Sequence, residues 1–208
     1  MSLLVVSAAH FEAQATLELL EKRNVPASFF LLGVGPIHAA RAEQRLGEAS
    51  KGKDVIYVGS CGSFYPFEDL HLVSIDRAYW VPPCYRTGIS DNLDGLYPPI
   101  KFPPGIFSLP KFGLPVKKLL CSPTISRVDH FDERIAKTLP SPDELVENME
   151  LYVCARALID NARSVNVILA VTNRVGPEGR LQWKRNFANG AALTAQFVTS
   201  HISSFTSG

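Results

Sequence analysis

The first eighty residues alternate between short apolar runs and stretches whose apolar residues recur at helical spacing. Leu3 to Ala8 is a mostly apolar run, and from Phe11 to Arg23 the residues Ala13, Leu17 and Leu20 fall on one side of a helix before Asn24-Val25-Pro26 ends it. A second strand is predicted over Ser28 to Leu32. Gly33-Val34-Gly35-Pro36 then turns into a helix from Ile37 to about Ala49, with Pro36 in the first turn, where a missing N–H is harmless. A third strand, Asp54 to Val58, is expected to stop in the turn Gly59-Ser60-Cys61-Gly62-Ser63, and a fourth runs from Leu70 to about Ala78. Strands and helices in this alternation predict an α/β layered fold.

The regular pattern then breaks. Residues 80–115 carry Pro82, Pro83, Pro98, Pro99, Pro103, Pro104 and Pro110 with aromatics between them, too apolar for a disordered linker and better read as a lid or an oligomer contact. Regular structure resumes with Val116 to Ser122 and a helix near Asp129 to Thr138. Pro140-Ser141-Pro142 is expected to start a helix bearing Val146-Glu147-Asn148-Met149-Glu150, with the acids Glu147 and Glu150 three apart on one face. Val165 to Val171 is apolar except at Asn166 and breaks at Asn173 before Gly176-Pro177. Asn173 is thus predicted at the carboxyl end of a buried strand, the sheet edge where α/β proteins bind ligands. A last helix spans about Gln182 to Ile202.

At 208 residues and 46% hydrophobic content, the chain fits one domain over residues 1–208. With 21 basic and 20 acidic residues, a net charge of +1 and no block of like charge, nucleic acid is not an expected partner. MSLLVVSAAHFEA lacks a basic leader and meets Glu12 early, so it reads as a first buried strand and not as a signal peptide. No apolar run nears the ~20 residues that cross a bilayer, so no membrane association is expected. Cys61, Cys84, Cys121 and Cys154 show no paired spacing, which points to a reducing cytoplasm; the five histidines have no metal-ligand spacing, so neither metal nor cofactor is expected. Gly33-Val34-Gly35 fails the dinucleotide fingerprint because its third small residue would be His38, and the P-loop-like Gly47 to Lys53 precedes a strand instead of following one.

Taken in order, SAAHFEA (7–13), GVGPIHAA (33–40), VGSCGSF (58–64), VENMEL (146–151) and TNRVGPEGRLQW (172–183) resemble the nucleoside phosphorylase and nucleosidase superfamily. The last segment is most similar to the futalosine hydrolase and methylthioadenosine nucleosidase branch, where Asn-x-Val-Gly-Pro runs into a helix carrying a Trp like Trp183. The resemblance implies a three-layer α/β/α domain with a central mixed sheet and cleavage of the N-glycosidic bond of a nucleoside, a small-molecule partner. It also implies a homodimer or larger assembly. In that register Glu12 is the general base that activates water, Glu150 holds the ribose hydroxyls, Met149 lies beneath the sugar, and Asn173 meets the base. Gly59, Ser60, Cys61 and Gly62, with Thr124, line the pocket, while Glu147 supports its helix.

Each role has a plainer alternative in the residues themselves. Glu12 also suits the first turn of a helix, where the macrodipole favours an acid, and Asn173 suits a strand end that bonds nearby backbone. Where adenosine-type relatives carry Asp, Asn173 has an amide that can donate to a ring nitrogen and accept from a ring N–H, which fits a 6-oxopurine. The phosphorolytic branch has a Gly-Asp-Pro turn where this chain reads Ala8-Ala9-His10-Phe11-Glu12, and an acid there repels phosphate. Hydrolysis is therefore favoured over phosphorolysis, and a non-catalytic nucleoside-binding protein is the third alternative. The chain departs from the family at Leu151, where a small residue is usual, and at Pro123, which interrupts the Ser122-Pro123-Thr124 strand. Phe131 is the aromatic proposed to stack on the base, and the 5′-substituent stays open.

Overall fold

The computed structural model describes residues 2–81, 100–101, 113–124, 126–127 and 139–205. Three parallel strands open the sheet: β1 (Leu3–Ser7) lies between β2 (Ala27–Leu31) and β3 (Asp54–Ser63), joined by α1 (His10–Lys22) and α2 (Pro36–Ser50). There follow β4 (His71–Trp80), the two-residue β5 (Ile100–Lys101), β6 (Val116–Cys121), β7 (Leu145–Asn148), α3 (Leu151–Asn161), β8 (Ser164–Arg174), α4 (Gly179–Ser200) and the short α5 (Ile202–Phe205). Among the described residues no helix is long and apolar enough to cross a membrane.

Side chains of a strand alternate between faces, and here the alternation builds two cores. Leu4, Val6, Val55, Tyr57, Val165, Val167 and Leu169 pack on the side that carries Leu46 of α2 and Leu151, Cys154 and Leu158 of α3. Leu3, Val5, Ile56, Val58, Ile168 and Ala170 face the opposite side, with Ala13 and Leu20 of α1 and Val198 of α4. Strands buried on both faces between two helical layers give the expected three-layer α/β/α arrangement with a mixed sheet.

The pairing also closes on itself. Strand β3 runs parallel to β8 from Asp54↔Ser164 to Ser63↔Arg174, β8 pairs antiparallel with β4, β4 pairs parallel with β6, and β6 with β7. Strand β7 returns antiparallel to β3 at Gly62 and Ser63. This ring needs β3 to continue past Val58. The expected turn at Gly59 to Ser63 is instead the second half of the strand, bent by a register shift between Cys61 and Gly62. At the other end Asp54, buried, accepts bonds from Arg163 Nε at 2.9 Å and Ser164 Oγ at 2.7 Å and pairs with the Arg163 guanidinium, which ties the starts of β3 and β8 together.

Two expectations are corrected here. Val146 to Asn148 belongs to β7 and not to a helix, because Leu145 to Asn148 is buried throughout and fills the gap between β6 and β3 after a single 3-10 turn at Pro142–Glu144. The helix begins only at Leu151, so Glu147 and Glu150 do not share a helix face, and Glu147 is not a helix support. The last helix starts at Gly179, three residues ahead of the expected point. The helix expected near Asp129 to Thr138, Phe131, Cys84 and most of the Pro-rich segment lie outside the described residues. Cys61, Cys121 and Cys154 are buried and free.

Candidate active site

A cavity of about 310 Å³ opens at the carboxyl ends of β1, β3 and β8, lined in part by Glu12, Ser60, Glu147, Met149, Glu150 and Asn173. Chain segments far apart in sequence meet there because parallel strands direct their carboxyl ends, and the loops that follow, to one edge of the sheet.

Glu12 sits in the first turn of α1 and turns its carboxylate inward. One oxygen, Oε1, accepts the Ser60 backbone N–H at 3.1 Å and the Ser60 hydroxyl at 2.6 Å. The other, Oε2, lies 3.2 Å from Ser7 Oγ. Burial pushes the Glu12 carboxyl above the ordinary carboxylate range, and the bonds from Ser60 and Ser7 pull it back. Ser60 Oγ in turn accepts the indole N–H of Trp183 at 3.1 Å. Trp183 stacks on Phe187 with ring centroids 5.3 Å apart, and Phe11 meets Trp183 edge-on.

Glu150, 4% exposed, stands opposite and accepts the Gly35 N–H at 2.8 Å. Gly35 has φ +92°, a backbone conformation natural to glycine, and this orients its N–H at the carboxylate. The Gly33-Val34-Gly35 turn thus serves a carboxylate of its own chain. Burial, with Glu12 adding repulsion, raises the Glu150 pKa to about 7. Asn148 holds the approach to this residue. Its Oδ1 accepts the N–H groups of Glu150 at 2.9 Å and Leu151 at 3.0 Å, while its Nδ2 donates to Ser60 O at 3.3 Å. Glu147 reaches the same cavity from β7 and accepts the Ser126 N–H at 3.1 Å and the Ser126 hydroxyl.

Asn173 lies at the end of β8, as its sequence context predicts, with its amide held on both sides. Nδ2 donates to Arg174 O at 3.0 Å and Oδ1 accepts the Thr172 hydroxyl at 3.1 Å. Gly62 is pressed against it: a Cβ there would lie 2.7 Å from Nδ2. The local backbone bonding and the cavity-facing position therefore coexist, each using part of the amide.

Of the residues singled out in the sequence, Glu12, Ser60, Cys61, Gly62, Met149, Glu150 and Asn173 line the cavity together. Gly59 lies behind it, with room for a Cβ 3.7 Å from Glu12 Oε2, and Thr124 is exposed outside the lining. Ser7, Asn148 and the hydrogen-bonding role of Trp183 were not legible. Trp183 and Asn148 reach Ser60 across 123 and 88 residues, contacts that only the packing of α4 and β7 on β3 creates, and the Ser7 bond to Glu12 depends on the direction in which α1 leaves β1. The cavity is bordered by three carboxylates, two side-chain amides and an apolar wall, a set able to bind hydroxyls, activate water and meet a heterocycle. Among the described residues no group of histidine, cysteine and acidic side chains could hold a metal ion.

No family model matches the chain, and no curated protein matches it. Solved structures do. A Helicobacter pylori MTAN with 5′-methylthioadenosine in its active site is similar over 98% of both chains, with a TM-score of 0.71 at 11% identity. A Chlamydia trachomatis MTAN is similar over 99% of both chains, with a TM-score of 0.69 at 20% identity. A futalosine hydrolase mutant of Helicobacter pylori gives a TM-score of 0.72 at 11% identity over 98% of this chain and 99% of the other. With its two helical layers, its mixed sheet and its likeness to these structures over nearly the whole length, the chain has the nucleoside phosphorylase-like α/β fold.

Proposed function

We propose that this protein is a purine nucleoside N-ribohydrolase that uses water to cleave the N-glycosidic bond of a 6-oxopurine nucleoside such as futalosine. The observation that carries the reading is the hydrogen-bonded Glu12 carboxylate facing the same cavity as Glu150, Met149 and Asn173. Cleavage builds positive charge on the sugar and negative charge on the departing base, so a site must meet both at once. Glu12 takes a proton from the attacking water. Glu150, ionised or sharing a proton at neutral pH, bonds the ribose hydroxyls, and Met149 packs beneath the sugar. Asn173 offers its remaining amide hydrogen to the base as the electron pair of the broken bond moves onto the ring.

Three carboxylates, Glu12, Glu147 and Glu150, against one cation, Arg180, line the cavity and oppose an incoming phosphate, which supports water as the nucleophile. The test is base release from inosine, futalosine, methylthioadenosine and adenosine, with and without phosphate, for wild type and Glu12→Gln. Phosphate-independent hypoxanthine release that drops about 10²- to 10⁴-fold in Glu12→Gln is expected. Phosphate dependence would replace the hydrolase by a phosphorylase, and tight nucleoside binding with no release would make the protein a non-catalytic binder.

A further inference from the structure

We propose that Trp183 is a positioning residue for Glu12, acting through a one-way hydrogen-bond chain from its indole N–H through Ser60 to Glu12 Oε1, and that Ser7 is a reversible partner of Glu12 Oε2. The inference rests on the reading of Glu12 as the base. The direction of the chain follows from chemistry alone. An indole N–H only donates, so Ser60 Oγ, 3.1 Å from Trp183 Nε1, must accept there. A hydroxyl has one proton. That of Ser60 therefore points to Glu12 Oε1 at 2.6 Å, where the Ser60 backbone N–H, also unable to accept, adds a second bond at 3.1 Å. With two donors fixed on Oε1, the proton from water goes to Oε2.

Ser7 is placed for that event. Its Oγ is 3.2 Å from Glu12 Oε2 and 3.2 Å from Ala9 O, two acceptors for one proton. While Glu12 is ionised, Ser7 donates to Oε2. Once Oε2 holds the proton, the Ser7 hydroxyl turns to Ala9 O and accepts from Glu12. The balance is complete: the water oxygen bonds to the sugar carbon, its proton passes to Oε2, and the electron pair of the broken bond leaves with the base.

The aromatic stack fixes the start of the chain. Phe187 lies against Trp183 at an interplanar angle of 27°, and Phe11, next to Glu12 in sequence, contacts both rings, so the indole plane is set by α4 and α1 together. Other ionisable groups around Glu12 are Glu150, Glu147 and Arg180 on the cavity wall, with Tyr57 and Cys61 on β3 held neutral by burial. His10 is turned against Phe29.

Trp183→Phe keeps a ring for stacking and removes the donor. The first readout needs no turnover: ¹³C NMR titration of the Glu12 carboxyl in glutamate-labelled protein, assigned with Glu12→Gln. Loss of the Trp183 donor frees the Ser60 proton and weakens its hold on ionised Glu12, so the Glu12 midpoint is expected to rise by about half a unit or more. The acidic limb of the kcat/KM profile for hypoxanthine release is expected to rise with it. Ser60→Ala, which removes the hydroxyl donor outright, raises the midpoint at least as far, and Ser60→Thr, which keeps the hydroxyl, restores it. Ser7→Ala lowers kcat about tenfold with KM unchanged. An unmoved midpoint in folded Trp183→Phe, or in Ser60→Ala if Trp183→Phe does not fold, overturns the proposal. A displaced midpoint in a protein that releases no base leaves the chain standing and removes the hydrolase reading instead.

Discussion

Asn173 has its amide committed on two sides, to Arg174 O and to the Thr172 hydroxyl, which leaves one N–H and one lone pair for a ligand. Because Nδ2 must face the Arg174 carbonyl, the amide is oriented by its neighbours and not by the ligand. Asn173→Asp removes the N–H that reaches Arg174 and places an ionisable group at the base. The ratio of kcat/KM for inosine over adenosine is expected to fall at least about tenfold, one hydrogen bond's worth of discrimination, as read from base release on both substrates. Gly62→Ala tests the packing around the same amide. Its Cβ would sit 2.7 Å from Asn173 Nδ2, so an overpacking loss of about 1–3 kcal/mol is expected in chemical denaturation, together with lower activity. The strand-end position of Asn173 was legible from the apolar run before it. Its amide orientation was not, because Gly62 enters only through the β3–β8 pairing and the bonds to Thr172 and Arg174 depend on side-chain direction.

At the scale of elements, the segment from Leu145 to Asn161 is a strand that hands over to a helix, and Asn148 manages the change. Its side chain satisfies two leading N–H groups of the helix and holds Ser60 O across the sheet. Asn148→Ala is expected to lose about 1 kcal/mol of stability, as for an N-cap deletion, measured by urea denaturation, and to weaken nucleoside binding through a loosened Glu150. Here the sequence misleads for a physical reason. Four apolar and polar residues after a proline turn fit a short strand or a first helical turn equally well, and only the vacancy between β6 and β3 selects the strand. The same applies to Gly59 to Ser63: glycines that read as a turn are tolerated inside a strand where side chains crowd its surface.

For the whole molecule, two buried carboxylates tie stability to pH in opposite senses. The Asp54 carboxyl lies below its ordinary value of 3.8; burial opposes this, and the bonds from Arg163 and Ser164 outweigh it. Its contribution is present above the unfolded pKa and is lost as pH falls through the lowered folded value. Glu150 behaves in reverse. Its pKa rises from 4.5 to about 7, so the folded state binds the extra proton in that window and stability declines as pH climbs through it. Thermal unfolding of wild type is expected to show a falling Tm from about pH 5 to about pH 7, and Glu150→Gln is expected to flatten that slope. An unchanged slope would mean that Glu150 titrates normally in the folded protein.

What the sequence by itself determined is the layer architecture and several of the residues that line the cavity. Apolar periodicity is a local property of the chain, and it sufficed for α1, α2, β1, β2 and β8, and for placing Asn173 at a sheet edge. The resemblance of five short segments named Glu12, Ser60, Met149 and Glu150, which the cavity then gathers. What only the tertiary structure decided is how these residues are held. The closing of the sheet through β7, the turn of Gly35 toward Glu150, and the chain from Trp183 to Glu12 are built from single bonds between positions up to 123 residues apart. Such bonds depend on register and on side-chain direction, which a one-dimensional pattern of apolar and polar residues does not encode.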